Sequence, residues 1–186
     1  MDVAELLYDS SKLCVIRASD KVGTDMDMFE AMINLVLEER PKVSARAARV
    51  VNLCIESNPE MFEPYRRKMI EAFSLIGNES IRFNILHMFT VIPLPEDEEE
   101  LGMLMNICFD TLDSVTERIA QKVYSLDILA RIAMIIPELK HELALIIRKQ
   151  MPYTTLAFRS RGMKVLKKLG MEHVTIEDDF PTEDIC

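Results

Sequence analysis

A basic residue, an apolar or small residue directly after it and an apolar residue four positions on recur five times along this chain. The basic members are Lys12, Arg46, Arg82, Lys122 and Arg161, at spacings of 34, 36, 40 and 39 residues. They are followed by Leu13, Ala47, Phe83, Val123 and Gly162, and then by Ile16, Val50, Leu86, Leu126 and Val165. A period of that length is one supersecondary unit, and the i, i+1, i+4 spacing is helical. A single unit cannot bury its apolar face alone. Stacked copies can, so the pattern predicts a core that runs from repeat to repeat.

The punctuation between copies agrees. Pro59-Glu60, Pro95-Glu96 and Pro137-Glu138 each open an apolar-periodic segment, and Thr24-Asp25 opens an earlier one. Proline suits the first helical position, a glutamate beside it favours the positive end of the helix dipole, and Asp or Thr caps a helix start. Each segment meets a break, at Pro41, Gly77-Asn78, Asp113-Ser114 or Pro152, and a second segment follows. The reading is a first helix, a short turn and a second helix, about four times over, after one N-terminal helix of the second type. Leu139, Leu143, Ile146 and Ile147 lie on one helical stripe, as do Ile119, Val123, Leu126, Ala130, Ala133 and Ile136.

The predicted fold class is therefore all-α, a right-handed α-solenoid of HEAT- or armadillo-like helical hairpins with nine or ten helices. Residues 1–172 form the repeat domain and 173–186 an acidic, flexible C-terminal tail. Composition supports the class: half of the 186 residues are hydrophobic, with 5 Gly, 8 Pro and no Trp. A compact helical bundle and a two-domain helical protein are the alternatives, the second disfavoured because no long linker interrupts the chain.

The motifs Glu5-Leu6-Leu7, Ser11-Lys12, Arg46-Ala47-Ala48, Cys108-Phe109, Lys122-Val123-Tyr124-Ser125, Pro137-Glu138-Leu139 and Phe158-Arg159-Ser160-Arg161-Gly162 carry a resemblance. Over roughly residues 5–170 the chain resembles a family of small bacterial HEAT-like repeat proteins of unknown activity, some of which carry an adenylosuccinate lyase label. The resemblance implies the fold. The lyase activity lacks its chemistry here: Ser10-Ser11 runs straight into Lys12-Leu13-Cys14 rather than into a Ser-rich loop, and no pair of histidines is placed as acid and base.

No other constellation supplies a reaction. Glu138 and His141 have the Glu-x-x-His spacing of a di-iron ligand pair, but no second copy exists, so His141 reads as a surface residue. His87, inside a second-type helix, reads as a core or groove histidine. No Gly-rich phosphate loop is present. Cys14, Cys54, Cys108 and Cys186 form no C-x-x-C pair and read as reduced thiols. The run Glu96 to Glu100 reads as a solvated helix start. The expectation is no catalytic residue, no metal and no cofactor.

The chain lacks a basic leader, an apolar stretch long enough to span a bilayer and an exported-protein cysteine pattern, and the expected location is cytoplasmic. Its 31 acidic residues exceed its 22 basic ones, a formal net charge of −9. That field repels phosphate, so a nucleic-acid coat and a HEAT-like repair enzyme are disfavoured. The expected function is a non-catalytic scaffold for a protein or acidic peptide. The candidate binding residues are Arg46, Arg82 and Lys122, with Arg49 and Arg161 at the ends, because equivalent repeat positions stack into a column. The opposing reading is that these cations bond neighbouring helices and only tie repeats together. An enzyme assembled from His87, Cys54 and carboxylates is the alternative function.

Overall fold

A computed structural model describes residues 3–175. Among them are nine α-helices, three 3₁₀ turns and no strand. A 3₁₀ turn at Val3–Leu7 leads into α1 (Lys12–Val22), the lone helix expected at the N-terminus. Four hairpins follow: α2 (Met26–Leu37) with α3 (Val43–Ser57), α4 (Arg66–Phe73) with α5 (Glu79–Val91), α6 (Glu98–Asp113) with α7 (Ile119–Ile135), and α8 (Leu139–Gln150) with α9 (Leu156–Leu169). Residues 176–186, most of the expected acidic tail, lie outside the described residues.

Side-chain caps explain several of the helix starts. Ser11 accepts the Cys14 N–H at 3.1 Å, Asp25 accepts that of Met28 at 3.0 Å, and Asn78 accepts those of Ser80 and Ile81. Each is a short side-chain oxygen satisfying an N–H that the first helical turn leaves unpaired. At the other end of α9, Gly170 adopts φ 70°, the left-handed conformation in which the chain can turn back on the last carbonyls.

Two starts differ from the sequence reading. Pro59-Glu60 opens a 3₁₀ turn, Pro59–Tyr65, and the α-helix begins only at Arg66. Pro64 is the cause: it has no N–H to donate and its ring collides with the preceding turn of an α-helix. After Pro95 the helix waits until Glu98, with Asp97 accepting the Glu100 N–H at 2.9 Å. The acidic run is thus divided between a cap and a first turn.

The described residues form two compact units, and the division between them, after Leu104, falls inside α6. In the first, α3 is central and packs on its hairpin partner α2 and on α1 and α5, the second-type helices before and after it. Phe29, Ile33, Ala47, Val51, Phe62, Ile81 and Ile85 are buried there. Phe62 meets Phe89 edge to face at 5.8 Å. In the second unit α7 packs on α8 and α9 around Leu126, Leu129, Leu143, Ile147, Phe158 and Leu166. Gly162 brings α9 close to α8: a Cβ there would lie 2.8 Å from the Ile147 Cγ2 methyl.

Candidate interaction surface

The five cations singled out for binding, four of them from the repeat signature and Arg49 beside them, are all engaged within the fold. Arg46 reaches back from α3 to donate to the Leu7 carbonyl at 2.8 Å, and Arg49, one turn on, donates to the Ser10 carbonyl at 2.7 Å. Arg82 on α5 lies over the Phe73 ring of α4, 4.9 Å from its centroid. In the second unit Lys122 is buried and donates to Gln150 Oε1 at 3.0 Å. Burial holds its amine below the ordinary lysine range, with Asp113 and Glu117 pulling the other way. Arg161 makes a two-pronged bond to the Asp127 carboxylate of α7, which raises its affinity for the proton. Each bond joins one helix to a neighbouring element. A long side chain at the edge of a buried face reaches outward in the sequence reading; here it reaches along the stack.

A polar network the sequence reading missed lies between α3 and α5. Buried Asn52 donates to the Ala48 carbonyl, to the Asn84 carbonyl at 3.1 Å and to Asn84 Oδ1 at 3.2 Å. Its own oxygen faces His87 Nδ1 at 2.8 Å, so that nitrogen carries a proton. Asn84 in turn donates to the Ser80 carbonyl at 2.7 Å. His87 is therefore a half-buried repeat-packing residue. Two apolar-rich helices gave no sequence signal for this pairing, because Asn52 and Asn84 are not at equivalent places in the repeat signature.

The other sequence candidates are dispersed. His141 on α8 and Glu138 just before it are exposed. Cys14, Cys54 and Cys108 are free and buried, and burial pushes the Cys54 thiol up to about 11 and Cys108 higher still. Such thiols are poor nucleophiles. The acidic run is partly internal: Glu100 binds Arg66 and Glu99 binds Arg67, both at 2.8 Å. Near it, Pro59, Ile92, Pro93 and Leu94 wall an open cleft of about 300 Å³ rimmed by Glu60, Glu63 and Glu96. Among the described residues no cluster of three or more His, Cys, Asp or Glu could hold a metal, and no helix is long and apolar enough to cross a membrane.

One surface stands apart in charge. α9 carries Arg159, Arg161, Lys164, Lys167 and Lys168 and no acidic residue. Arg159 donates to the Pro152 carbonyl and Arg161 binds Asp127. Lys164, Lys167 and Lys168 are exposed, and their side chains make no hydrogen bond or ion pair with any described residue. That asymmetry was legible in the sequence as a fourteen-residue window without an acid.

Stacked helical hairpins tied by long side chains define a helical-repeat protein. The chain belongs to the HEAT repeat domain family, whose pattern it matches over residues 5–169, across both units. Comparison with curated proteins and with solved structures finds no match.

Proposed function

We propose that this HEAT repeat protein is a non-catalytic scaffold that binds a protein or acidic peptide segment, without a cofactor, in the cytoplasm. The observation that carries the reading is the use to which the polar groups of the second-type helices are put. Asn52, Asn84, His87, Arg46 and Arg49 bond the elements stacked beside them rather than converging on a pocket. Polar groups used in that way fix the register of repeats and present a rigid surface.

The finer form of the proposal lays the partner along Arg46, Arg49, Arg82, Lys122 and Arg161. A guanidinium has five donors, so Arg46 and Arg49 can each hold a carbonyl and still face an anion. Lys122 is buried and Arg161 already chelates a carboxylate, and for these two the tie between helices is the stronger reading. The test pairs capture of partners from the native host, by cross-linking to the full chain, with an adenylosuccinate turnover assay. The expected result is a specific cross-linked partner and no turnover. Turnover that disappears on His87→Ala overturns the proposal in favour of an enzyme.

A further inference from the structure

We infer that the exposed face of α9 is a docking surface for an acidic segment of a partner protein, anchored by an apolar side chain. The inference rests on the scaffold reading and assigns it a place and a partner chemistry.

The argument begins with equivalence between repeats. Registered by the shared signature, Arg161 of α9 matches Arg46 of α3, so Met163 stands where α3 has Ala48 and Lys167 where α3 has Asn52. On α3 both positions are buried, and Asn52 is the residue that bonds α5, the next second-type helix. On α9 the same edge stays largely exposed among the described residues, with the Arg148 guanidinium of α8 donating to Met163 Sδ at 3.8 Å. Met163 is 45% exposed, Leu156 at the start of the helix is 81% exposed, and Lys167 is exposed between the two lysines Lys164 and Lys168.

A surface that only needed to be soluble would be served by charges of either sign, and this chain has more acids than bases to draw on. The face instead carries cations alone. The helix dipole favours Lys167 and Lys168 in the last turn, but Lys164 lies outside it and Arg159 lies in the first turn, where the dipole disfavours a cation. Met and Leu beside the lysines supply an adaptable apolar contact. An anionic segment is drawn to this face and repelled by most of the remaining surface, which gives direction as well as attraction. Nucleic acids and anionic bilayers present extended negative charge and would bring the rest of a −9 chain against it. A short acidic segment does not, and it is the occupant favoured here.

The test uses the full chain and a fluorescent synthetic peptide rich in Glu with a central Phe-Leu pair, read by anisotropy. A Lys-rich peptide of equal length and anionic vesicles serve as comparisons. The expected result is binding of the Glu-rich peptide alone, weakened by salt. The triple variant Lys164→Glu, Lys167→Glu, Lys168→Glu should lose it by about tenfold or more while its thermal midpoint stays within a few degrees, as exposed substitutions do. Met163→Ser should weaken it at unchanged salt dependence. Undiminished binding by the triple variant overturns the inference, as does equal binding of the Lys-rich peptide or preference for vesicles. Self-association abolished by the same triple change assigns the face to a second copy and also overturns it. So does binding that emerges only when Glu177, Asp178 and Asp179 are neutralised, since the occupant is then the chain's own acidic segment. A captured partner indifferent to these variants leaves the scaffold reading standing and removes this surface from it.

Discussion

Cys54 and Asn52 sit on the same helix and respond to burial in opposite ways. Cys54 is a thiol that stays neutral: burial and then the Asp20 charge raise it from 9.0 to about 11. A folded value above the unfolded one contributes stability that is complete below pH 9 and is lost as pH rises towards 11. Thermal midpoints taken across that range should fall, and the fall should be shallower in Cys54→Ala than in the parent chain. A parallel fall in both sinks the assignment. Asn52 cannot change charge and instead satisfies its neighbours. Asn52→Ala leaves His87 Nδ1 without its acceptor and Asn84 without a donor. A loss of about 2–3 kcal/mol by chemical denaturation is expected, because the buried Asn84 amide oxygen then loses its donor and the tie between α3 and α5 is cut.

Among the elements, α9 is held by the absence of a side chain. Gly162 costs about 1 kcal/mol of helix propensity relative to alanine, so Gly162→Ala would stabilise an isolated helix. Here the new Cβ would press on the buried Ile147 Cγ2 methyl at 2.8 Å and on Met151 at 3.1 Å. Overpacking of about 1–3 kcal/mol outweighs the propensity gain, and a net lower midpoint is expected. Ile147→Leu removes the branched methyl, so the double variant should recover part of the loss. If the single variant is instead more stable, α8 and α9 have room for a Cβ at position 162 and the close approach to Ile147 does not hold them. Elsewhere the elements hold one another through loops: Glu39 in the first hairpin accepts the Gly77 and Asn78 N–H groups of the second at 3.0 and 3.1 Å.

For the whole molecule the decisive variant reverses the repeat column in both units at once. Arg46→Glu removes the donor to Leu7, Arg82→Glu removes the cation over Phe73, and Lys122→Glu places an acid beside Gln150 in a buried site. A buried charge without a partner costs about 3–5 kcal/mol, and a chain of this size loses roughly 2–4 °C for each kcal/mol. A drop of ten degrees or more, or failure to fold, is expected. A midpoint unchanged within a few degrees together with lost partner capture would instead show that Arg46, Arg82 and Lys122 bind the partner and are dispensable to the fold. The contrast with the α9 triple variant, expected to leave stability intact, tests whether a given cation holds the fold, faces a partner or does both.

The hairpin count, the lone first helix and most boundaries were legible in the linear sequence, because helical periodicity, caps and a period of 34–40 residues are local properties. Pro64 shows where a local rule was overlooked: one ring two residues before Arg66 turned an expected α-helix into a 3₁₀ turn. The direction of the repeat cations was a different kind of question. Arg46 at an edge can point to solvent or to a carbonyl 39 positions back, and spacing along the chain is the same in either case. Only the packed neighbours decide it, since a bond to Leu7 exists only once the N-terminal turn lies against α3. The same holds for α9. Its cations were written in the sequence, but that their face is exposed among the described residues, while its counterpart on α3 is closed by α5, follows from which helices stack beside each.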